Sequence, residues 1–179
     1  GKDIYYMTNE PTSDSDKEYD DNIYKNGAVM SFNKPDVSEG DPHYCAAKDE
    51  LYFWTKPSSS ADTGSVGADI YVYKEGKVSK LPAPINTEET GDVQPFLNKA
   101  CTKMYFATNR GDVKSQGPAI YVSERTGENT WSTPQPVVWS ETGVGEPTLT
   151  DDEKILSFIQ VFTMPNGAYN ADIFHIERT

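Results

Sequence analysis

Carboxylates are the side chains of this sequence with the most chemistry to offer. Asp and Glu number 28 against 16 Lys and Arg, a formal net charge of −12. Two groupings of acids have a spacing that chemistry could use. The first is Asp14-Ser15-Asp16-Lys17-Glu18-Tyr19-Asp20-Asp21. Alternating carboxylates at Asp14, Asp16, Glu18 and Asp20 could supply the oxygens that Ca²⁺ takes at about six to eight positions. A solvated acidic loop is the plainer alternative, because no glycine sits at the EF-hand position. The second grouping is Asp41, Asp92 and Glu146, each placed shortly before Pro42, Pro95 or Pro147. If the fold makes them converge, they form a rim that holds a cation or a basic side chain. Each would raise the others' cost of ionisation, and a bound cation relieves that repulsion. The plainer alternative is that they cap turns ahead of each proline.

Other chemistries have less support. His43 and His175 are the only histidines. Neither has a second histidine or cysteine at a ligand spacing, which argues against zinc. No Gly-x-Ser-x-Gly elbow is present for a serine nucleophile. A glycosidase using two carboxylates remains the open enzyme class, but nothing singles out a pair. Trp54 and the loop residue Tyr169 could stack on a sugar face, although core or blade–blade packing is the plainer explanation. Arg110, at the root of a long loop, joins Trp54 and the three rim acids as a ligand-binding candidate. Cys45 and Cys101 are the only thiols. Two unpaired buried cysteines are the expected state, and the even count also permits a disulfide. Phosphate binding needs clustered Lys and Arg, so nucleic acid is not an expected partner. No apolar run approaches the roughly 18–20 residues of a membrane-spanning helix, so membrane insertion is not expected either.

These candidates need elements to position them, and the elements repeat. Pro42, Pro95 and Pro147 precede Leu51-Tyr52-Phe53, Met104-Tyr105-Phe106 and Leu156-Ser157-Phe158 by the same interval. An acid or amide stands before each proline: Asp41, Gln94 and Glu146. A glycine lies shortly upstream: Gly40, Gly91 and Gly145. A second apolar pair follows in Ile70-Tyr71, Ile120-Tyr121 and Ile173-Phe174. The segment from Ile4-Tyr5-Tyr6 to Ile23-Tyr24 fits the same template from its middle. Each unit therefore reads as four short strands. The first begins near the proline, where a missing N–H is tolerable. The fourth lies near Ala28–Phe32, Val78–Leu81 or Pro136–Trp139. Polar turns at Lys48-Asp49-Glu50, Asn98–Lys103 and Asp151-Asp152-Glu153 join the first two strands.

Four strands per unit of about 50 residues predict an all-β chain of antiparallel, four-stranded β-propeller blades. About four blades are visible, in units of about 1–39, 40–90, 91–144 and 145–179, with the first and last incomplete. A β-sandwich has many short strands too, but gives no reason for a fixed period.

Several stretches resemble the TolB-type, WD40-like propeller repeat. They are Pro84-Ile85-Asn86-Thr87, Gln94-Pro95-Phe96, Met104 to Arg110, Ala119-Ile120-Tyr121-Val122-Ser123 and Trp131-Ser132-Thr133-Pro134. Two turns depart from the family's aspartate-glycine pattern, at Lys48-Asp49-Glu50 and Ala100-Cys101-Thr102. The resemblance implies an exported bacterial protein, periplasmic or secreted. Its expected role is non-catalytic: binding or scaffolding, with a protein or glycan ligand met on the loop face and Ca²⁺ as the one cofactor considered. The alternative is a polysaccharide-acting hydrolase or lyase on the same fold. Long loops at Glu10–Asp21, Lys56–Ala68, Asn109–Pro118 and Val161–Ala171 are the expected binding surface. Unsatisfied terminal edges predict either a four-bladed ring closed on itself or a dimer formed through the terminal blades.

Overall fold

Short runs in which apolar residues alternate, punctuated by polar turns, give strands and no helix among the described residues. The computed structural model describes residues 3–9, 20–57 and 67–178. Among these described residues, fourteen strands form four antiparallel sheets, each built from strands consecutive in the chain. Sheet 1 holds β1 (Tyr5–Thr8), β2 (Asn22–Lys25) and β3 (Ala28–Val29). Sheet 2 holds β4 (Val37–Cys45), β5 (Glu50–Pro57), β6 (Asp69–Lys74) and β7 (Lys77–Lys80). Sheet 3 holds β8 (Asp92–Leu97), β9 (Lys103–Thr108), β10 (Ala119–Glu124) and β11 (Gln135–Val138). Sheet 4 holds β12 (Val144–Leu149), β13 (Ile155–Thr163) and β14 (Tyr169–Glu177). The repeat register holds: Tyr5, Tyr52, Tyr105 and Ser157 lie in β1, β5, β9 and β13, and Tyr24, Tyr71, Tyr121 and Phe174 in β2, β6, β10 and β14.

Turn chemistry explains where the strands reverse. Asn26-Gly27 and Glu75-Gly76 have φ of 52° and 85°, and of 50° and 79°. A two-residue hairpin of type I′ needs positive φ at both positions, which an Asn-Gly pair supplies without strain. The prolines differ from expectation. They sit inside β4, β8 and β12, not at their starts, each at a break in register between Gly40 and His43, Val93 and Phe96, or Gly145 and Thr148. The residue before each proline is left-handed: Asp41 at 48°, Gln94 at 57° and Glu146 at 52°. A bulge leaves one residue unpaired, which is where a proline without an N–H fits inside a ladder.

The period-2 alternation sends the two faces of each sheet to different neighbours. Leu51 and Phe53 of sheet 2 pack with Ile23 of sheet 1. Tyr52, Ile70 and Val72 on the opposite face pack with Met104, Phe106 and Tyr121 of sheet 3. Ile120 of sheet 3 packs with Val144 and Phe158 of sheet 4. The largest of these cores lies between sheets 2 and 3. Among the described residues, Tyr6 of the first sheet and Ile173 of the fourth are 40% and 79% exposed.

Cys45 and Cys101 are bonded to each other, with Cα atoms 6.1 Å apart, so the unpaired state is corrected. The reason is the register. Cys45 ends β4 and Cys101 lies in the β8–β9 turn, so the bond joins equivalent ends of neighbouring sheets. The matching slot between sheets 3 and 4 is filled by Asn98 Nδ2, which donates to Glu153 Oε1 at 2.7 Å. One slot is covalent and its repeat is a hydrogen bond.

Candidate functional site

The three bulges bring their left-handed residues to one cleft. Asp41, Gln94 and Glu146 line it together with Tyr5, Tyr6, His43, Phe96 and Thr148, around a volume of about 360 Å³. A bulge re-aims the side chain of its extra residue, so one feature of the repeat supplies all three polar groups.

Each group is held in place. Trp54 Nε1 donates to Asp41 Oδ2 at 2.6 Å. The half-buried indole lies over Gly40, where an added Cβ would overlap the ring. Gln94 Nε2 donates to Glu146 Oε1 at 2.7 Å, and its Oε1 accepts from the Glu146 N–H at 3.0 Å. Gly145 permits that pairing, since a Cβ there would fall 2.5 Å from Gln94 Oε1. His43 packs against Phe96 with ring centroids 4.3 Å apart. Burial brings its imidazole down to about 4, so it is neutral at pH 7.

Electrostatically the cleft is short of positive charge. Burial raises the Asp41 carboxyl above its ordinary range, and the Asp21 charge adds to the rise. Burial raises Glu146 as well, followed by the charge of Asp41. Neither carboxylate makes an ion pair among the described residues. Gly40→Ala is expected to push the Trp54 indole off Asp41, to lower stability by about 1–3 kcal/mol and to change tryptophan emission. Unchanged emission and an unchanged urea midpoint would show that the indole does not brace Asp41.

Two of the expected ligand residues are elsewhere. Asp92 is fully buried at the start of β8 and is not on the rim. Its Oδ1 pairs with Arg110 Nη2 at 3.0 Å, and its Oδ2 accepts from Thr90 Oγ1 at 3.0 Å and from the Thr87 N–H at 3.2 Å. Arg110 also donates to the Ile85 carbonyl and lies over the Phe106 ring, 5.3 Å from its centroid. The pair neutralises itself between sheets 2 and 3. Counting back from each proline, Gln94 is the true equivalent of Asp41 and Glu146, and that spacing was legible in the sequence. Trp54 stands on the cleft's edge as the donor to Asp41, with its ring half-buried over Gly40.

Of the proposed calcium ligands, Asp14, Asp16 and Glu18 lie outside the described residues. Asp20 is buried, and its Oδ2 accepts from the Asp36 N–H at 3.0 Å. Among the described residues, no group of three His, Cys, Asp or Glu could hold a metal ion. The expected loop Val161–Ala171 is mostly strand, because β13 and β14 stay paired as far as Thr163 and Tyr169.

Sequence reasoning missed a buried cluster at the turn end of β5. Arg125 Nη2 pairs with Glu50 Oε2 at 2.8 Å, with the two side chains 6% and 1% exposed. Tyr52 Oη donates to the same Glu50 oxygen at 2.7 Å, and Arg125 lies 4.7 Å from the Trp131 ring centroid. The only signal was an acid flanking Leu51-Tyr52-Phe53, which also suits an exposed turn.

No protein-family model matches the chain. No curated protein matches it. Among solved structures, it is similar to TolB from Acinetobacter baumannii at 14% identity and a TM-score of 0.43. The similarity covers 96% of this chain and 49% of that one, so the chain spans about half the length of that structure.

Proposed function

We propose that this chain is a non-catalytic recognition or scaffold module of an exported bacterial protein, built on TolB-type β-propeller blades, and that its cleft takes a basic group of a protein or glycan ligand. The observation that carries this reading is the pair Asp41 and Glu146. Both carboxylates are raised by burial, both line one cleft, and neither has a cationic partner among the described residues. An ammonium or guanidinium entering between them would supply the missing charge, and Tyr5, Tyr6 and Phe96 would cover its apolar stem. The four consecutive antiparallel sheets support the scaffold, and the disulfide supports an oxidising compartment, periplasmic or secreted.

Calorimetry with N-acetyl-arginine amide, and separately with Ca²⁺, tests this. The arginine probe is expected to bind, and Asp41→Asn with Glu146→Gln to weaken it about tenfold or more, since a charge-assisted hydrogen bond contributes roughly 1.5–3 kcal/mol. Because both carboxyls hold their protons more tightly than usual, binding should fade on acidification at a higher pH than the ordinary carboxylate range of about 4. No binding by the parent protein, or equal binding by the double variant, overturns the reading. The alternative is a glycan-cleaving enzyme, in which the two carboxyls of this cleft would serve as acid and base. Turnover of a labelled glycan panel, lost in the same variant, would favour that alternative.

A further inference from the structure

Between sheets 2 and 3, one recurring position of the repeat holds a guanidinium. Arg110 pairs there with Asp92 at 3.0 Å and donates to the Ile85 carbonyl. It rests over the rings of Phe106 and Tyr121, 5.3 Å and 6.0 Å from their centroids. A carboxylate, a carbonyl and two aromatic rings suit the charge, the donors and the flat shape of that group.

The repeat carries the same slot to the interface between sheets 1 and 2. Glu39 stands three residues before Pro42, as Asp92 stands three before Pro95. Phe53 and Tyr71 are the counterparts of Phe106 and Tyr121. Phe32 corresponds to Ile85, because each precedes an asparagine, Asn33 or Asn86, that donates from Nδ2 to the third-strand isoleucine carbonyl of its unit. Arg110 stands four residues after Phe106, but four residues after Phe53 the chain has Pro57. The slot is repeated and its arginine is not.

A cavity of about 470 Å³ opens at this place, lined by Phe32, Asn33, Glu39, Phe53, Pro57 and Tyr71 among others. Glu39 pairs across the ladder with Thr55, and Phe53 with Tyr71, so alternation puts Glu39 and both rings on the one face of sheet 2 that looks toward sheet 1. Phe32 stacks on Phe53 at 4.5 Å and widens the aromatic wall. Asn86 Oδ1 accepts the Ile70 N–H at 2.8 Å, whereas Asn33 Oδ1 is buried without a partner among the described residues. That oxygen is an acceptor that a ligand N–H would satisfy.

We propose that this cavity binds a guanidinium from outside the chain, carried by an arginine side chain or a free guanidino compound, in the way Arg110 is held at the next interface. Its volume falls in the range of about 300–1,000 Å³ usual for ligand sites and leaves room for an apolar stem beside the charged head. A guanidinium is preferred to an ammonium, because the flat ion stacks on rings and presents several donors in one plane. The site is separate from the cleft of Asp41 and Glu146 and does not depend on what that cleft binds.

Amide chemical-shift mapping by nuclear magnetic resonance tests the proposal, with N-acetyl-arginine amide, free arginine and N-acetyl-lysine amide as probes. An arginine probe is expected to shift the amides of Asn33, Thr55 and Tyr71, and to shift them as much when Asp41→Asn and Glu146→Gln disable the other cleft. Tighter binding of the blocked amide than of free arginine identifies a peptide-borne side chain, and the reverse order identifies the free compound. Glu39→Gln should weaken this binding about tenfold or more, and the lysine probe should bind correspondingly less. Pro57→Arg places a guanidinium on the chain at the position of Arg110, so it should abolish these shifts and leave any at Gln94 and Thr148 intact. Absence of shifts at Asn33, Thr55 and Tyr71 in the parent protein overturns the proposal, whatever happens at Gln94 and Thr148. So do equal shifts with the lysine probe, or undiminished shifts in Pro57→Arg.

Discussion

Replacing Cys45 and Cys101 together by alanine is expected to lower the free energy of unfolding by roughly 4 kcal/mol. The bond closes a loop over a sequence separation of 56, and chain-entropy arguments give about that value for such a loop. Both residues are nearly inaccessible, at 3% and 0%, so the lost sulfurs also remove packing from the core between sheets 2 and 3. Urea unfolding of the parent, with and without a strong reductant, should reproduce most of the difference, because reduction severs the same link. The alanine variant should not respond to reductant. A shift below about 1 kcal/mol in both comparisons would mean that packing alone holds these sheets together.

The second large effect is expected at Arg125. Replacing it by methionine leaves the Glu50 carboxylate buried without its guanidinium, and breaking a buried pair from one side costs about 3–5 kcal/mol. Adding Glu50→Gln should recover a substantial part of that loss, since no charge then remains buried. The pH dependence separates this from a general packing defect. Burial pushes Glu50 upward, but hydrogen bonds from Tyr52 and Arg125, with the Arg125 charge, outweigh it and hold the carboxyl below its ordinary range. A carboxyl lowered on folding contributes stability above its unfolded pKa of about 4.3, and that stability is lost as pH falls through the folded value. The variant lacking Arg125 keeps the hydrogen bonds from Tyr52 and Lys74 to Glu50 but loses the Arg125 share of this contribution, so its stability should fall less steeply than the parent's on acidification below about pH 5. Parallel pH profiles for the two proteins would remove Glu50 from the account.

Sequence alone determined the local order of this protein. The interval from each proline to each Leu-Tyr-Phe type run, and from there to each Ile-Tyr type pair, put all eight strand centres in their correct strands. It could do so because strand and turn preferences act over a few residues, and the repeat let each unit check the others. The same spacing also marked Asp41, Gln94 and Glu146 as equivalent, although the sequence reading placed Asp92 on the rim in place of Gln94.

Tertiary structure decided what these residues do. Whether a proline opens a strand or sits at a bulge depends on the partner strand's register, which no single strand records. Asp92 became half of a buried ion pair because the pairing of β8 with β9 sets it opposite Thr108, which brings Arg110 over it from 18 positions further along the chain. Trp54 became a brace because Gly40 leaves room for its ring beside Asp41. The pairing of Cys45 with Cys101, and of Glu50 with Arg125, arises where one sheet meets the next. Contacts across that distance depend on how two surfaces are stacked, and the alternation within a strand specifies only which residues lie on each surface.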